Sequence, residues 1–350
     1  MQLFNEALDL LKQLIAIPSL SKEEDKTADL IQTFFQDKGI STQRKGNNVW
    51  VKSLHFDDNK PTILLNSHHD TVKPNVGYTK DPFSAEVEDG KLYGLGSNDA
   101  GASLVSLVAC FLNFYNEPNL KYNLILAATA EEEISGKNGV ESILEELGEI
   151  DFAIVGEPTL LDLAIAEKGL MVLDCVATGK SGHAARNEGE NAIYKAMKDL
   201  EWFRTYTFDD VSKTLGPVRM SVTMINAGQQ HNVVPDECKF VVDVRSTDCY
   251  SNTQILEIIR AHVKSKVEPR STRLNPSSIP VDHPIVQAGI ALGRRTYGSP
   301  TMSDQALMPY PSLKLGVGDS ARSHTADEFV FIHEIEEGIE FYIQLLKQVL

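Results

Sequence analysis

The sequence predicts an α/β protein, a mostly parallel sheet with helices on both faces, carrying a smaller inserted α+β domain. Three observations predict it. Over the first 160 residues or so, strand-like runs that are apolar throughout alternate with segments of helical period. After about residue 168 the strand-like segments switch to apolar/polar alternation. Near the end of the chain, helical periods around 284–296 and 333–348 bring it back to the first domain. The expected domains are therefore 1–168 with 277–350, and an inserted 169–276.

The elements follow in order. Apolar positions over 3–16 and 23–35 recur at helical spacing. "NNVWVKSL" and "PTILLNS" read as strands, and "GASLVSLVACFLNFYNE" as a buried helix. "YNLILAATA" is a buried strand, "GVESILEELG" a helix, and "DFAIVGEP" a buried strand ending in a Gly-Glu-Pro turn. In the second part, "GLMVLDCVATG" and "CKFVVDVRSTD" alternate as half-exposed antiparallel strands do. "ENAIYKAMKDLEWFRTY" and "NTQILEIIRAHVKSK" are amphipathic helices that would cover one face of that sheet. "EPRSTRLNPSSIP" is the expected way back.

Composition narrows the function classes. The 350 residues carry a net charge of −16, which argues against a phosphate-rich partner such as nucleic acid. No apolar run reaches 18 residues, so no membrane span is expected. The first residues, "MQLFNEALDLLKQLIAI", are acidic and helical in period rather than leader-like. Cys110, Cys175, Cys238 and Cys249 have no paired spacing, which suits free thiols in a cytoplasmic protein. "GLG" at 94–96 lacks the third glycine of a dinucleotide fingerprint.

Several buried strands end in acids or histidines. "ILLN" leads to His68 and Asp70, "LILAATA" to Glu131, Glu132 and Glu133, and "FAIVG" to Glu157. Asp99 follows a Gly-Leu-Gly turn, and His324 lies in "GDSARSHTADE". Strand ends of an open α/β sheet are where ligands bind. Histidines and carboxylates gathered there form a ligand set suited to a pair of divalent ions.

On these residues the chain resembles the M20 (aminoacylase-1) family of metallopeptidases and deacylases. That family includes acetylornithine deacetylases and succinyl-diaminopimelate desuccinylases. The resemblance rests on five motifs in order: His68-His69-Asp70, Gly94 through Asp99, Glu132-Glu133, Gly156-Glu157-Pro158, and His324 through Glu328. It implies a zinc-peptidase-like large domain with two divalent metal ions, zinc first and cobalt or manganese tolerated. His68, Asp99 and Glu157 would hold one ion, and Asp99, Glu133 and His324 the other, with Asp99 bridging. Asp70 would fix the tautomer of His68, and Glu132 would be the general base. The peptide after Asp99 would be cis. The inserted domain resembles a dimerisation, or lid, domain. There His183, in "GKSGHAARNEGENAI", would reach a partner subunit's oxyanion, and Asn232 and Arg245 would contact substrate. The chain would thus be a homodimer acting on a small molecule. The length and "GLGSNDAG" resemble bacterial acetylornithine deacetylases of arginine biosynthesis.

Other readings stay open at this stage. Three glutamates in a row allow a second register, with Glu131 as base and Glu132 as ligand, and the run also suits a helix start. His69 is read as a non-ligand. The alternative for His183 is a plain loop histidine, and for Arg245 a structural ion pair. Asp99-Ala100-Gly101 lacks the basic residue that many relatives carry after the bridging aspartate. A succinyl substrate would need a further cation, for which Lys168, Arg186 and Arg322 are available. A di- or tripeptidase, or an inactive binding module, are the competing functions.

Overall fold

A computed structural model describes residues 1–186 and 188–350. The chain divides into two compact units: Met1–Ile165 with Ser278–Tyr297 and Ser303–Leu350, and Ala166–Ser277 with Gly298–Met302.

The sheet of the first unit is ordered Gln43–Lys45, Asn48–Lys52, Asn123–Thr129, Thr62–His68, Phe152–Val155, Ser312–Lys314. Thr62–His68 runs parallel to both of its neighbours, and Ser312–Lys314 runs parallel to Phe152–Val155. Gln43–Lys45 and Asn48–Lys52 form an antiparallel margin. Successive side chains of the central strands enter different cores. Ile63, Leu65, Leu126 and Ile154 pack with the helices Gln2–Ile15, Asp25–Gln36, Ala102–Phe114 and Ile332–Lys347. Leu64, Ile125, Ala153 and Val155 pack with Trp50, Val140, Ile143 and Leu147 on the other side. Both faces are therefore covered, which is why these strands read as unbroken apolar runs.

Two helices differ from the sequence reading. "GVESILEELG" forms a 3₁₀ turn, Val140–Ile143, and one α turn, Leu144–Leu147. The helix from Pro284 stops at Ala291, and Thr296–Ser299 is extended. Its end is set by Gly293 (φ +86), with Gly293 N–H on the Ile290 carbonyl and Arg294 N–H on that of Gly289.

The second unit holds a four-stranded antiparallel sheet, ordered Arg219–Ala227, Glu237–Ser246, Gly169–Thr178, Lys266–Pro269. Alternate residues such as Leu173, Cys175, Phe240 and Val242 are buried with Ala196, Phe203, Ile255 and Ile259 of the helices Ala192–Thr205 and Asn252–His262. Ser251 and Gln254 form a capping box at the start of the latter helix.

Candidate metal centre

Register brings the polar side chains together. His68 is the last residue of its strand and lies opposite Thr129, while Asn66 lies opposite Val155. The glutamates after Thr129 and Glu157 after Val155 therefore leave the sheet at the same edge as His68. Asp99 sits in the turn Ser97–Gly101 that leads into Ala102–Phe114, and its peptide with Ala100 is cis. His324 arrives on a loop with φ +59.

The buried His68 imidazole is the hub. Its Nε2 lies 3.4 Å from Asp99 Oδ1, 3.7 Å from Glu157 Oε1 and 3.9 Å from Glu132 Oε2. His324 Nε2 lies 3.0 Å from Glu133 Oε2 and 3.6 Å from Asp99 Oδ2. Asp99 thus faces both imidazoles. Two trios, His68–Asp99–Glu133 and His68–Glu132–Glu157, each have one ligand atom per residue within 4.8 Å of the others. Glu132 stands among the carboxylates that face His68 rather than apart from them.

Glu132 and Glu157, buried beside other carboxylates, hold their protons more tightly than free carboxylates do. Burial pushes Glu157 up to about 8, with Asp99 adding to it. Burial likewise raises Glu132 well above the usual carboxylate range; His68 opposes this, and Glu157, Asp304 and Glu133 add to it. The hydrogen bond with Glu133 lifts His324 to about 9. Burial works against charge on His68, but Asp70 and Asp99 outweigh it and its pKa stands well above the ordinary value. Such a cluster binds protons or cations, and its mixture of imidazole and carboxylate donors fits divalent ions.

Behind these groups lies a layer of buried acids. Asp70 lies beside His68: Nδ1 is 3.0 Å from the Asp70 carbonyl and 3.4 Å from Oδ1. Its carboxylate also accepts the peptide N–H of Glu132 (3.0 Å), that of Glu133 (3.2 Å) and the Ser21 hydroxyl (2.7 Å). Glu328 accepts the N–H groups of Gly96, Asn98 and Asp99. Asp304 accepts from Asn66 Nδ2 and Thr129 Oγ1. The sequence reading gave no role to Glu328 or Asp304. Glu328 stood in a quoted motif, whereas nothing local marked Asp304.

Glu131 turns away from the cluster. Its carboxylate takes the side-chain and backbone N–H of Asn138. The neighbouring His69 is buried, and burial holds its pKa down to about 4. Its Nε2–H donates to the Asn47 carbonyl, and Nδ1 faces the Thr27 hydroxyl.

Residues 64–348 match the model of Peptidase family M20/M25/M40. The chain belongs to this family. Among curated M20 proteins, it is 28% identical to succinyl-diaminopimelate desuccinylase 2 of Ruegeria sp. (strain TM1040), over 74% of this chain and 70% of that one. It is also 28% identical to the acetylornithine deacetylase of Proteus mirabilis (strain HI4320), over 97% and 96%. Its fold superposes on aminopeptidase PepT from Bacillus cereus (TM-score 0.78, 18% identity, 99% and 98% covered). It also superposes on a dinuclear metal binding M20 peptidase from Bacillus subtilis (0.72, 17%, 99% and 98%). The M20 chain described here is accordingly a metal-dependent hydrolase of amide or peptide bonds.

Lys168, His183, Asn232 and Arg245 lie in the second unit. Gly182–His183 pairs with Val233–Val234, and Ala184 N–H donates to the Asn232 carbonyl, so His183 and Asn232 are neighbours. His183 is exposed, and its Nδ1 accepts from Ala185 N–H. Arg245 holds Asp243 through Nε and Nη2, at 2.8 and 3.1 Å. Of the cations weighed for a succinyl group, Arg322 is taken up by a two-pronged contact with Glu334. Burial lowers the pKa of Lys168, and Arg219 and Arg245 add to that effect. Among the described residues, no helix is long and apolar enough to cross a membrane.

Proposed function

We propose that this M20 hydrolase cleaves the amide of an N-acyl amino acid, with N2-acetyl-L-ornithine, giving L-ornithine and acetate, as the first substrate. The observation that carries the reading is the convergence of His68, Asp99, Glu132, Glu133 and Glu157 at one sheet edge. His68, Asp99 and Glu157 would hold one ion, and Asp99, Glu133 and His324 the second, with zinc preferred over cobalt or manganese. When bound, the ions polarise the scissile carbonyl and make water a nucleophile at neutral pH. Glu132 takes a proton from the attacking water and returns it to the leaving nitrogen. Asp70 holds His68, and with it the loop that carries Glu132. His183 donates to the developing oxyanion. Asn232 and Arg245 bind the substrate, Arg245 meeting its carboxylate with the N–H groups that Asp243 leaves free.

The near full-length match to an acetylornithine deacetylase favours ornithine and a place in arginine biosynthesis. A second reading, an N-succinyl substrate, is favoured by the relatives named as desuccinylases and by the cationic group Lys168, Arg219 and Arg245. A cytoplasmic homodimer is part of the proposal. It is supported by four free cysteines and by exposed Tyr194, Met197, Met224 and Ile225 in the second unit. The test is hydrolysis of N-acetyl and N-succinyl ornithine, citrulline and diaminopimelate, beside free dipeptides, by zinc- and cobalt-loaded protein. Preference for a dipeptide would refute the deacylase reading, and preference for succinyl compounds would select the second one.

A further inference from the structure

Glu24 is a fully buried acid at the head of the helix Asp25–Gln36. An acid in this position ordinarily accepts from its own helix's first N–H groups. Glu24 makes no such bond. Its Oε1 instead takes Lys22 N–H at 2.6 Å and Glu131 N–H at 3.2 Å, the latter from a residue 107 positions away. Its Oε2 takes Asn47 Nδ2 at 2.8 Å.

The Glu131 contact completes a pattern. Three consecutive peptide N–H groups, those of Glu131, Glu132 and Glu133, end on two buried carboxylates: Glu24 takes the first and Asp70 the other two. Glu131 is also where the loop changes direction, at φ +56, a conformation that a non-glycine residue keeps only when its surroundings impose it. Asn138 fixes the Glu131 side chain, and Gly136 packs so closely that an added Cβ would lie 1.9 Å from Glu131 Oε2. The other arm of Glu24 reaches the second ligand-bearing segment. Asn47, held by Glu24, accepts His69 Nε2–H through its carbonyl, and His69 lies between His68 and Asp70.

We propose that Glu24 is a positioning residue of the hydrolytic site, setting the aim of Glu132 and Glu133 through the Glu131 amide. It touches neither substrate nor ion. The inference rests on the reading of Glu133 as a metal ligand and Glu132 as the base.

The test compares Glu24→Gln, Glu24→Asp and Glu24→Ala with Glu133→Ala. It reads calorimetric zinc binding to the metal-free protein, together with kcat and KM per metal-loaded site. Glutamine keeps an acceptor oxygen at the same reach, and Asn47 meets the new NH₂ by turning its amide. Glu24→Gln is therefore expected within threefold of wild type in both readouts. Aspartate is one methylene short and alanine has no acceptor. Both are expected to lower kcat at least tenfold, with KM within threefold, and to weaken one zinc step at least tenfold. If alanine prevents folding, the Gln/Asp pair decides alone. Wild-type zinc binding and kcat in Glu24→Asp, or a tenfold loss in Glu24→Gln, would overturn the role of Glu24 while Glu133→Ala still lost an ion. Glu133→Ala binding both ions normally would instead overturn the site reading, and the role of Glu24 with it.

Discussion

Replacing Asp70 with asparagine tests the layer behind the metal centre at its most connected point. The side chain is wholly buried and has four neighbours: Ser21 Oγ, the N–H groups of Glu132 and Glu133, and His68 Nδ1. Asparagine has nearly the same shape but one oxygen in place of two. With the new NH₂ at the Oδ2 position, Ser21 can turn to accept, but Glu133 N–H faces a donor. With the amide reversed, Glu132 N–H does. Either way one buried peptide N–H loses its acceptor, at about 1–3 kcal/mol, and the other bonds lose the charge that strengthened them. A loss of about 2–3 kcal/mol, carried into the placement of Glu132 and Glu133, corresponds to roughly 30- to 150-fold in rate. The assay is kcat/KM on the preferred N-acyl substrate, with metal content measured on the same sample. Activity within threefold of wild type at full metal content would refute the idea that Asp70 steers the loop.

Three further outcomes follow from the same geometry. Glu132→Gln keeps the shape but cannot take a proton, so kcat should fall at least ~10²-fold with two ions still bound, whereas Glu131→Gln should lose less than tenfold; the reverse ranking would move the base by one residue. In the metal-free protein Glu157 (about 8) and His324 (about 9) hold protons at pH 7, so loading zinc there should release at least one proton per chain, read by calorimetry in buffers of different ionisation enthalpy. Both pKa values are raised by folding, so the native state binds more protons than the unfolded chain. The metal-free melting temperature should therefore fall between pH 7 and 9, with zinc reducing the fall, and a rise would contradict the assignment.

The strand-end chemistry is legible in the sequence because an apolar run such as residues 63–65 or Phe152–Val155, ending a few residues before His68 or Glu157, is the signature of a covered parallel strand. What it left open depends on distant contacts. The direction of Glu131 is decided by a positive φ, by Asn138 and by Glu24, none of which leaves a periodic trace. Glu24, in "SKEEDK", carries no local signal, because its partner Glu131 is remote in the chain. "GVESILEELG" has helical apolar spacing, yet it lies between two glycines, and a Cβ on Gly139 would come within 2.4 Å of the Ala130 carbonyl. A longer helix gives way there to short turns. The early end of the helix from Pro284 was legible in principle, since Gly293 is the usual C-terminal signal.

The strand Ser312–Lys314 has a bearing on how the molecule assembles. It lies parallel to Phe152–Val155, with Ser312 opposite Ala153, and Lys314 meets Ala164 on its other side. Its neighbours are synthesised long before it. Until it docks, Phe152–Val155 presents an unpaired margin of N–H and C=O groups, and such a margin recruits other chains. Closing the intervening loop costs chain entropy before the pairing contributes anything. Refolding should therefore pause at a species with the earlier strands formed and this slot open, and aggregation should be worst there. A peptide copying 309–316, added during refolding, should compete for the slot and lower the yield of active enzyme.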